Sequence, residues 1–511
     1  MSVFVAIRNE MVKNEEDVLE GITSSGDNYV HELNLPIMEI DTLNPILTTN
    51  VQVQNILKLI YEPLVSFDKS DMITSCLATE WSERDDLNWI VKLRKGVKWH
   101  NGTDFTADDV KFTILQIKDE TLNSPYKENL LNVTAVEKLD EYSVLVTLDH
   151  KDNLFMYKLN FPIIPEYYFK NGDVVNEAKV NIPVGTGMYK YMSTDENIIS
   201  LERNKSWWSV SANNRLEKIY LHKYSTYGEA IKAYKSSEVD IIVTTMSDWK
   251  KKFGTIGNNV YRYENTVFDT IIPNTKKLAL SDSSVRKAIL YAINRENIVA
   301  KVFNSNASIV EMPIHSISKF YSSDISSEYN LDKAKQILLN AGWKSDNGVW
   351  SKSISKTNCN LNFSLIVNKD NKEHLAASEA IKECLQDLGI KINVKSLSWS
   401  EYKKALEAGN FDLAMASFDI KNETSLIDML DESSSNNYTG FSSREMSEVI
   451  NSLKRTNSDE DMKKLTDIYR AETPYIGLYF RDNTLLTNKS VKGSIEPFWA
   501  NPYNGITTWC K

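Results

Sequence analysis

At 511 residues, with 42% hydrophobic and 25% charged side chains, the chain is long enough for two or three hydrophobic cores and has a globular composition. A formal net charge of −10 argues against nucleic acid or an anionic membrane as the main partner, because both select clustered Lys and Arg. Its four cysteines, Cys76, Cys359, Cys384 and Cys510, include no Cys-x-x-Cys pair, so neither a zinc site nor a dense disulfide framework is indicated.

Along the chain, the apolar run Val3 to Ile7 is too short for a signal-peptide core, and no cysteine precedes Cys76 to form a lipobox. Residues 8–29, rich in Glu, Asn, Ser and Asp, read as a flexible tether. No stretch reaches the ~18 apolar residues of a membrane-spanning helix. Trp89, Val91 and Leu93 alternate as in a half-buried strand, and Asn101-Gly102 supplies a turn dipeptide. Thr106 and Asp109 have the spacing of a capping box, with Asp108 and Asp109 suited to the positive end of the helix that follows. Tyr142 to Leu148, Ile219 to Tyr224 and Asp240 to Thr244 are strand-like. Asp282 and Asn294 are placed to cap successive helices, and the apolar face of Leu331, Ala334, Ile337, Leu338 and Ala341 marks another, closed by Gly342.

The clearest unit lies further on. Leu361, Phe363, Leu365 and Val367 alternate. Leu375, Ile381, Cys384, Leu385 and Leu388 then recur at helical spacing up to Gly389, and Ile390, Ile392 and Val394 alternate again. This predicts a right-handed β-α-β unit with Cys384 as a core thiol; a bridge to Cys359 has no support in the spacing. A helix over Ser400 to Ala408 and the apolar run Phe411 to Phe418 complete a doubly wound α/β lobe, whose ligand crevice belongs at the carboxyl ends of its strands.

Several segments carry a family resemblance. Leu93 to Phe112 (Leu-Arg-Lys-Gly-Val-Lys-Trp-His-Asn-Gly-Thr-Asp-Phe-Thr-Ala-Asp-Asp-Val-Lys-Phe) comes first, followed in order by Pro183-Val-Gly-Thr-Gly-Met-Tyr189, Arg203-Asn-Lys-Ser-Trp-Trp208, Val285 to Arg295, Asp332 to Trp343 and Phe411-Asp-Leu-Ala414. Together they resemble the family 5 extracellular solute-binding proteins, the peptide- and nickel-binding receptors of ABC importers. The resemblance implies an α/β, type II periplasmic-binding-protein-like fold with three lobes and a hinge. The lobes would be a discontinuous first one (30–61, 182–268 and 482–511), an inserted second one (62–181) and a third (269–481). Chain crossings near Asn265 to Asn274 and Tyr479 to Asn483 would form the hinge. It also implies an extracytoplasmic monomer that takes a short peptide and hands it to a membrane permease, with no cofactor.

The candidate ligand-binding residues follow from this picture. Trp399 ends a strand where a doubly wound sheet presents its crevice, in a Trp-x-x-x-Lys context that resembles a cleft tryptophan of the family. Tyr126, in Asn-Ser-Pro-Tyr, resembles a peptide-contacting tyrosine of the second lobe. In the family a carboxylate that accepts the ligand's α-amino group follows a Gly-Trp pair. Here Ser417-Phe418 stands in place of that pair, Asp419 comes immediately after, and Ile420-Lys421 occupy the usual carboxylate positions. Phe418 and Asp419 are therefore the local candidates, with Glu423 as an alternative carboxylate.

No Gly-x-Ser-x-Gly elbow, Walker A loop or His-Glu-x-x-His helix is present, so no catalytic residue is assigned. The six histidines are scattered, and His100 is the one to watch for a metal. The same fold binding an oligosaccharide or a nickel chelate is the alternative, with a cytosolic solute-sensing regulator behind it.

Overall fold

A computed structural model describes residues 31–170, 173–209, 216–254, 256–321, 328–421, 423–456 and 458–511. The tether expected over 8–29 and the Glu423 side chain lie outside what is described.

Two four-stranded sheets fill much of the N-terminal half. In one, Glu32–Met38 runs parallel to Lys218–Tyr224, which pairs antiparallel with Ile198–Arg203 and through it with Tyr189–Thr194. In the other, Ala78–Asp85, Asn88–Leu93, Ser143–Leu148 and Val133–Asp140 are antiparallel throughout. One continuous core, including Leu35, Trp99, Val146, Leu221 and Trp509, lies beneath both. The helix expected after the Asn101-Gly102 turn is Ala107–Lys118, with the Thr106–Asp109 capping box formed.

The largest sheet is built on two long antiparallel strands, Asn258–Pro273 and Ile476–Asn488. One end of this pair holds Ile241–Thr244, and the other continues into Leu413–Asp419, Asn362–Asn368 and Lys391–Leu397. The register of the long strands shifts between Glu264 and Phe268 and again between Asp269 and Thr270. Such irregularities bend and twist a ribbon locally.

The expected β-α-β unit is Asn362–Asn368, Lys372–Leu388 and Lys391–Leu397, with parallel strands and Gly389 left-handed at the helix C-cap. Its centre is doubly wound. Asn362–Asn368 has Lys391–Leu397 on one side and Leu413–Asp419 on the other, both parallel to it. Leu365 and Val367 pack under Ile381 and Leu385 on one face, while Ile366 meets Tyr402 on the other. The helix Trp399–Glu407 begins one residue earlier than the apolar pattern suggested.

Cys384 corrects the sequence reading. Ile381, Leu385 and Leu388 form the buried stripe and leave this thiol only half-buried at its border, while Cys359 is buried; neither is bridged.

Candidate functional site

Three connected cavities form a cleft between these sheets. The first, about 600 Å³, lies at the carboxyl end of Leu413–Asp419 and is lined by Trp399, Tyr402, Phe418, Asp419 and Tyr438. Asp419, Ser425, Asp428 and Asn436 also line the second, of about 940 Å³. The second passes Phe67, Tyr126 and Asn160 into a third of about 300 Å³, lined mostly by apolar and aromatic side chains such as Tyr61, Trp207 and Phe498. All four candidates, Trp399, Phe418, Asp419 and Tyr126, thus face one continuous space. A single drug-sized site occupies roughly 300–1,000 Å³, so this cleft has room for a longer ligand.

Local structure explains each position. Trp399 is the first residue of its helix, after the N-cap Ser398, and is directed past the strand end; it stays 59% exposed and stacks on Tyr402 at 5.8 Å between ring centroids. Phe418 packs edge-on against Tyr475, and Asp419 ends its strand opposite Val267. The Asp419 carboxylate is 56% exposed and 3.4 Å from Lys421 Nζ. Tyr126, 6.1 Å from Phe161 between centroids, has its phenol pushed up to about 12 by burial.

Strand Leu413–Asp419 pairs along its length with Val267 to Pro273, but its other edge meets Asn362–Asn368 only at Leu413 and Ala414. Beyond Ala414 no described strand covers that edge, and residues 415 to 420 line the first cavity. A half-covered strand edge offers backbone donors and acceptors to an extended ligand.

Two buried carboxylates fix the walls. Asp269, fully buried on the long strand, accepts from His374 Nε2 at 3.0 Å, from Arg481 Nε at 2.8 Å and from the Ser417 hydroxyl. Burial opposes its charge, but the His374 and Arg481 contacts hold its carboxyl below the usual range. This ties the strand that bears Phe418 and Asp419 to the long strand pair. Glu62 accepts from Trp207 Nε1 at 2.9 Å, Trp208 Nε1 at 2.9 Å and Thr186 Oγ1 at 2.8 Å; burial nevertheless raises it to about 7.

His100 has a structural place. Its Nδ1 accepts from Gly185 N–H at 3.3 Å, so Nε2–H donates to the Gly187 carbonyl at 2.9 Å, and burial lowers the ring to about 4. The two glycines run against the backbone of Leu59 and Ile60 so closely that a Cβ on Gly185 would lie 1.8 Å from the Ile60 carbonyl oxygen. The Gly-Thr-Gly segment therefore serves a close crossing of chains. Among the described residues no group of three or more His, Cys, Asp or Glu is placed to hold a metal.

Sequence reasoning did not single out Lys58, Glu62, Tyr402, Asp428 or Tyr438. Trp207 and Trp208 appeared only within a family-like motif. Lys421 was noticed for standing where a carboxylate is usual, not as a cleft cation.

Comparison with known proteins places this geometry. Residues 73–437 match the model for the bacterial extracellular solute-binding proteins, family 5 Middle. The chain is 25% identical over 508 residues to the oligopeptide-binding protein AppA of Bacillus subtilis, covering 93% of this chain and 91% of the relative. It is 24% identical over 465 residues to the periplasmic oligopeptide-binding protein OppA of Salmonella typhimurium, covering 84% and 82%. The solved structure of MppA, a periplasmic murein tripeptide-binding protein in an unliganded open form, superposes with a TM-score of 0.80 at 20% identity over 94% of this chain and 98% of that one. The fold is that of the type II periplasmic-binding proteins, and the chain belongs to family 5 of the bacterial extracellular solute-binding proteins.

Proposed function

We propose that this protein is the substrate-binding component of an ABC importer, which captures a short oligopeptide in the cleft outside the cytoplasmic membrane and delivers it to the permease. The observation that carries the reading is the half-covered edge at residues 417 to 419, beyond the Met415 carbonyl that the Tyr402 hydroxyl occupies; it adjoins cavities lined by Trp399, Phe418, Asp419 and Tyr126. Each peptide backbone hydrogen bond contributes roughly 0.5–1.5 kcal/mol whatever the side chains. A few such bonds plus an ammonium contact at Asp419 approach the roughly 8 kcal/mol of a micromolar complex. The names of AppA and OppA support a peptide ligand.

In this reading the molecule is a monomer of three lobes: 30–61 with 182–268 and 482–511, then 62–181, then 269–481. The register shifts between Glu264 and Thr270 support a hinge in the long strand pair, about which the lobes close on ligand.

Native mass spectrometry of the purified protein tests the ligand class, because a closed cleft retains its solute. Copurified short peptides are expected. A sugar or metal chelate, or protein that ignores peptides, would move the assignment to a non-peptide solute. Asp419→Asn is expected to weaken free-amine peptides about tenfold more than their N-acetylated forms, and equal losses would remove Asp419 from the ammonium role.

A further inference from the structure

His315, in the loop that follows the strand Ala307–Ile309, is 2% exposed and sits between two aromatic rings. Its imidazole stacks on Phe480 at 4.3 Å and on Trp499 at 5.8 Å between centroids, with interplanar angles of 19° and 9°. Nε2 is 2.8 Å from the Ile420 carbonyl, which can only accept, so the proton of that bond is on the ring. Nδ1 is buried without a hydrogen bond and stands 3.6 Å from the Glu264 carboxylate. Trp499 in turn donates from Nε1 to the buried Asp71. Asp419 and Lys421, on either side of Ile420, line the second cavity, and so does Trp499. One ring therefore backs two walls of the cleft. Ile420 N–H is held by the Thr266 carbonyl at 2.7 Å, and His315 holds the carbonyl side of the same residue.

A neutral imidazole carries one N–H and has two acceptors to serve here. With the proton on Nε2 the Ile420 bond is kept and a bare Nδ1 faces a carboxylate; with it on Nδ1 the Ile420 carbonyl is released. Only the imidazolium donates toward both. Burial opposes that cation, but Glu264, Asp71 and the Ile420 carbonyl hold its titration above the ordinary 6.5. Burial likewise opposes the Glu264 charge, and His315 and Ser316 hold that carboxyl below its usual range. The other charged groups on the surrounding segments are engaged elsewhere. Asp482 is bonded to Arg262 and Ser308, Asp68 accepts from the Ser70 and Met72 N–H groups, and Arg481 pairs with Asp269 and Glu373. Lys69 pairs with Glu496, Lys319 with Asp459, and Asp419 with Lys421.

We infer that His315 is a positioning residue for the cleft, a proton-dependent brace that fixes the segment from Asp419 to Lys421 against Glu264 and Trp499. The inference rests on the reading of this cleft as the ligand site. Protonated, the ring joins the Ile420 carbonyl to the Glu264 carboxylate; deprotonated, it gives up one of the two. A histidine whose titration is raised by folding contributes fully below its ordinary 6.5, and that contribution is lost as pH rises through the folded value. Ligand affinity should fall over the same window, because the wall that carries Asp419 and Lys421 is then held less firmly.

Isothermal titration calorimetry of the full chain with Ala-Ala-Ala, from about pH 5.5 to about pH 8.5, tests this. His315→Gln keeps an N–H for the Ile420 carbonyl but cannot gain a proton, so it is the reference at each pH and removes the titration of the peptide and of Glu62 from the comparison. Relative to His315→Gln, the wild type is expected to lose about tenfold in affinity as pH rises through the His315 titration. His315→Phe keeps the stack and loses both ring nitrogens, and should bind about tenfold more weakly than wild type at the acid end. Parallel profiles for wild type and His315→Gln, or wild-type affinity in His315→Phe, overturn the brace; if His315→Phe does not fold, the His315→Gln profile decides. Should the tripeptide not bind the wild type at any pH, the peptide reading fails, and NMR of the ligand-free protein decides the brace. The Trp499 indole N–H, assigned by its loss in Trp499→Phe, is then expected to shift with the His315 titration, at a midpoint that Glu264→Gln lowers. An indole signal that ignores that titration, or a midpoint unmoved in Glu264→Gln, overturns it.

Discussion

Asp269→Asn removes the charge from a fully buried carboxylate on which His374, Arg481 and Ser417 converge. Removing one partner of a buried ion pair costs about 3–5 kcal/mol, because the remaining charge keeps its desolvation without compensation. Arg481 keeps a second partner, Glu373, at 2.8 Å and is 24% exposed, which favours the lower end, about 3 kcal/mol. With an unfolding entropy of about 2.1 cal/mol/K per residue, 511 residues melting as one unit would lose about 3 °C. A third lobe melting alone would lose about 7 °C, so calorimetry of the ligand-free protein at pH 7 also reports on cooperativity. The sign with pH follows from the depressed carboxyl. Its stabilisation is present above the ordinary Asp value of 3.8 and is lost as pH falls through the lower folded value, so wild type and variant should converge in acid. Asp419→Asn, at an exposed carboxylate, is the control and should change stability by less than about 0.5 kcal/mol. A melting shift under 1 °C for Asp269→Asn, or the same shift in both variants, would refute the view that this cluster anchors the cleft strand.

Two further outcomes test the cleft walls. Glu62 titrates near 7 when folded against an ordinary 4.5, so its contribution is fully present below about pH 4.5 and is lost as pH rises to about 7. Across that window, urea melts of wild type should fall relative to Glu62→Gln by about 3 kcal/mol, 2.5 units at 1.36 kcal/mol each, whereas parallel pH profiles would count against the assignment. Trp399, exposed in the cleft and stacked on Tyr402, should dominate any ligand-induced fluorescence change, so Trp399→Phe should remove most of it although ten other tryptophans remain; an unchanged signal would place the ligand elsewhere.

The elements that were legible in the sequence are those whose signals are local. The Thr106–Asp109 box, the Asn294 cap and the Gly389 C-cap each bond within a few residues, and the alternation in Leu361 to Val367 and Ile390 to Val394 reports directly on which face of each strand is buried. The same periodicity misplaced Cys384, because a helix stripe has edges and a residue there can be apolar yet half-exposed. Trp399 was named from its place at a strand's carboxyl end, where a doubly wound sheet opens, together with a family-like context, whereas Asp419 was named from the family resemblance; both line the first cavity.

The rest required the folded chain. Glu62 finds its partners 124 to 146 residues away, Asp269 meets Arg481 across 212, and Lys58 is bonded to Ala500 across 442. No local pattern encodes such pairings, since any of the 69 acidic and 59 basic side chains has the same chemistry until packing decides which are desolvated together. The sequence by itself determined the elements and the parallel α/β unit, because backbone propensity and apolar periodicity act over a few residues, and its ordered motifs carried the family resemblance. Only the tertiary structure decided which charges are desolvated together, as at Glu62 and Asp269, and which stay exposed to a cavity, as at Asp419, because that depends on distances set by long-range strand register and by the close crossing at Gly185.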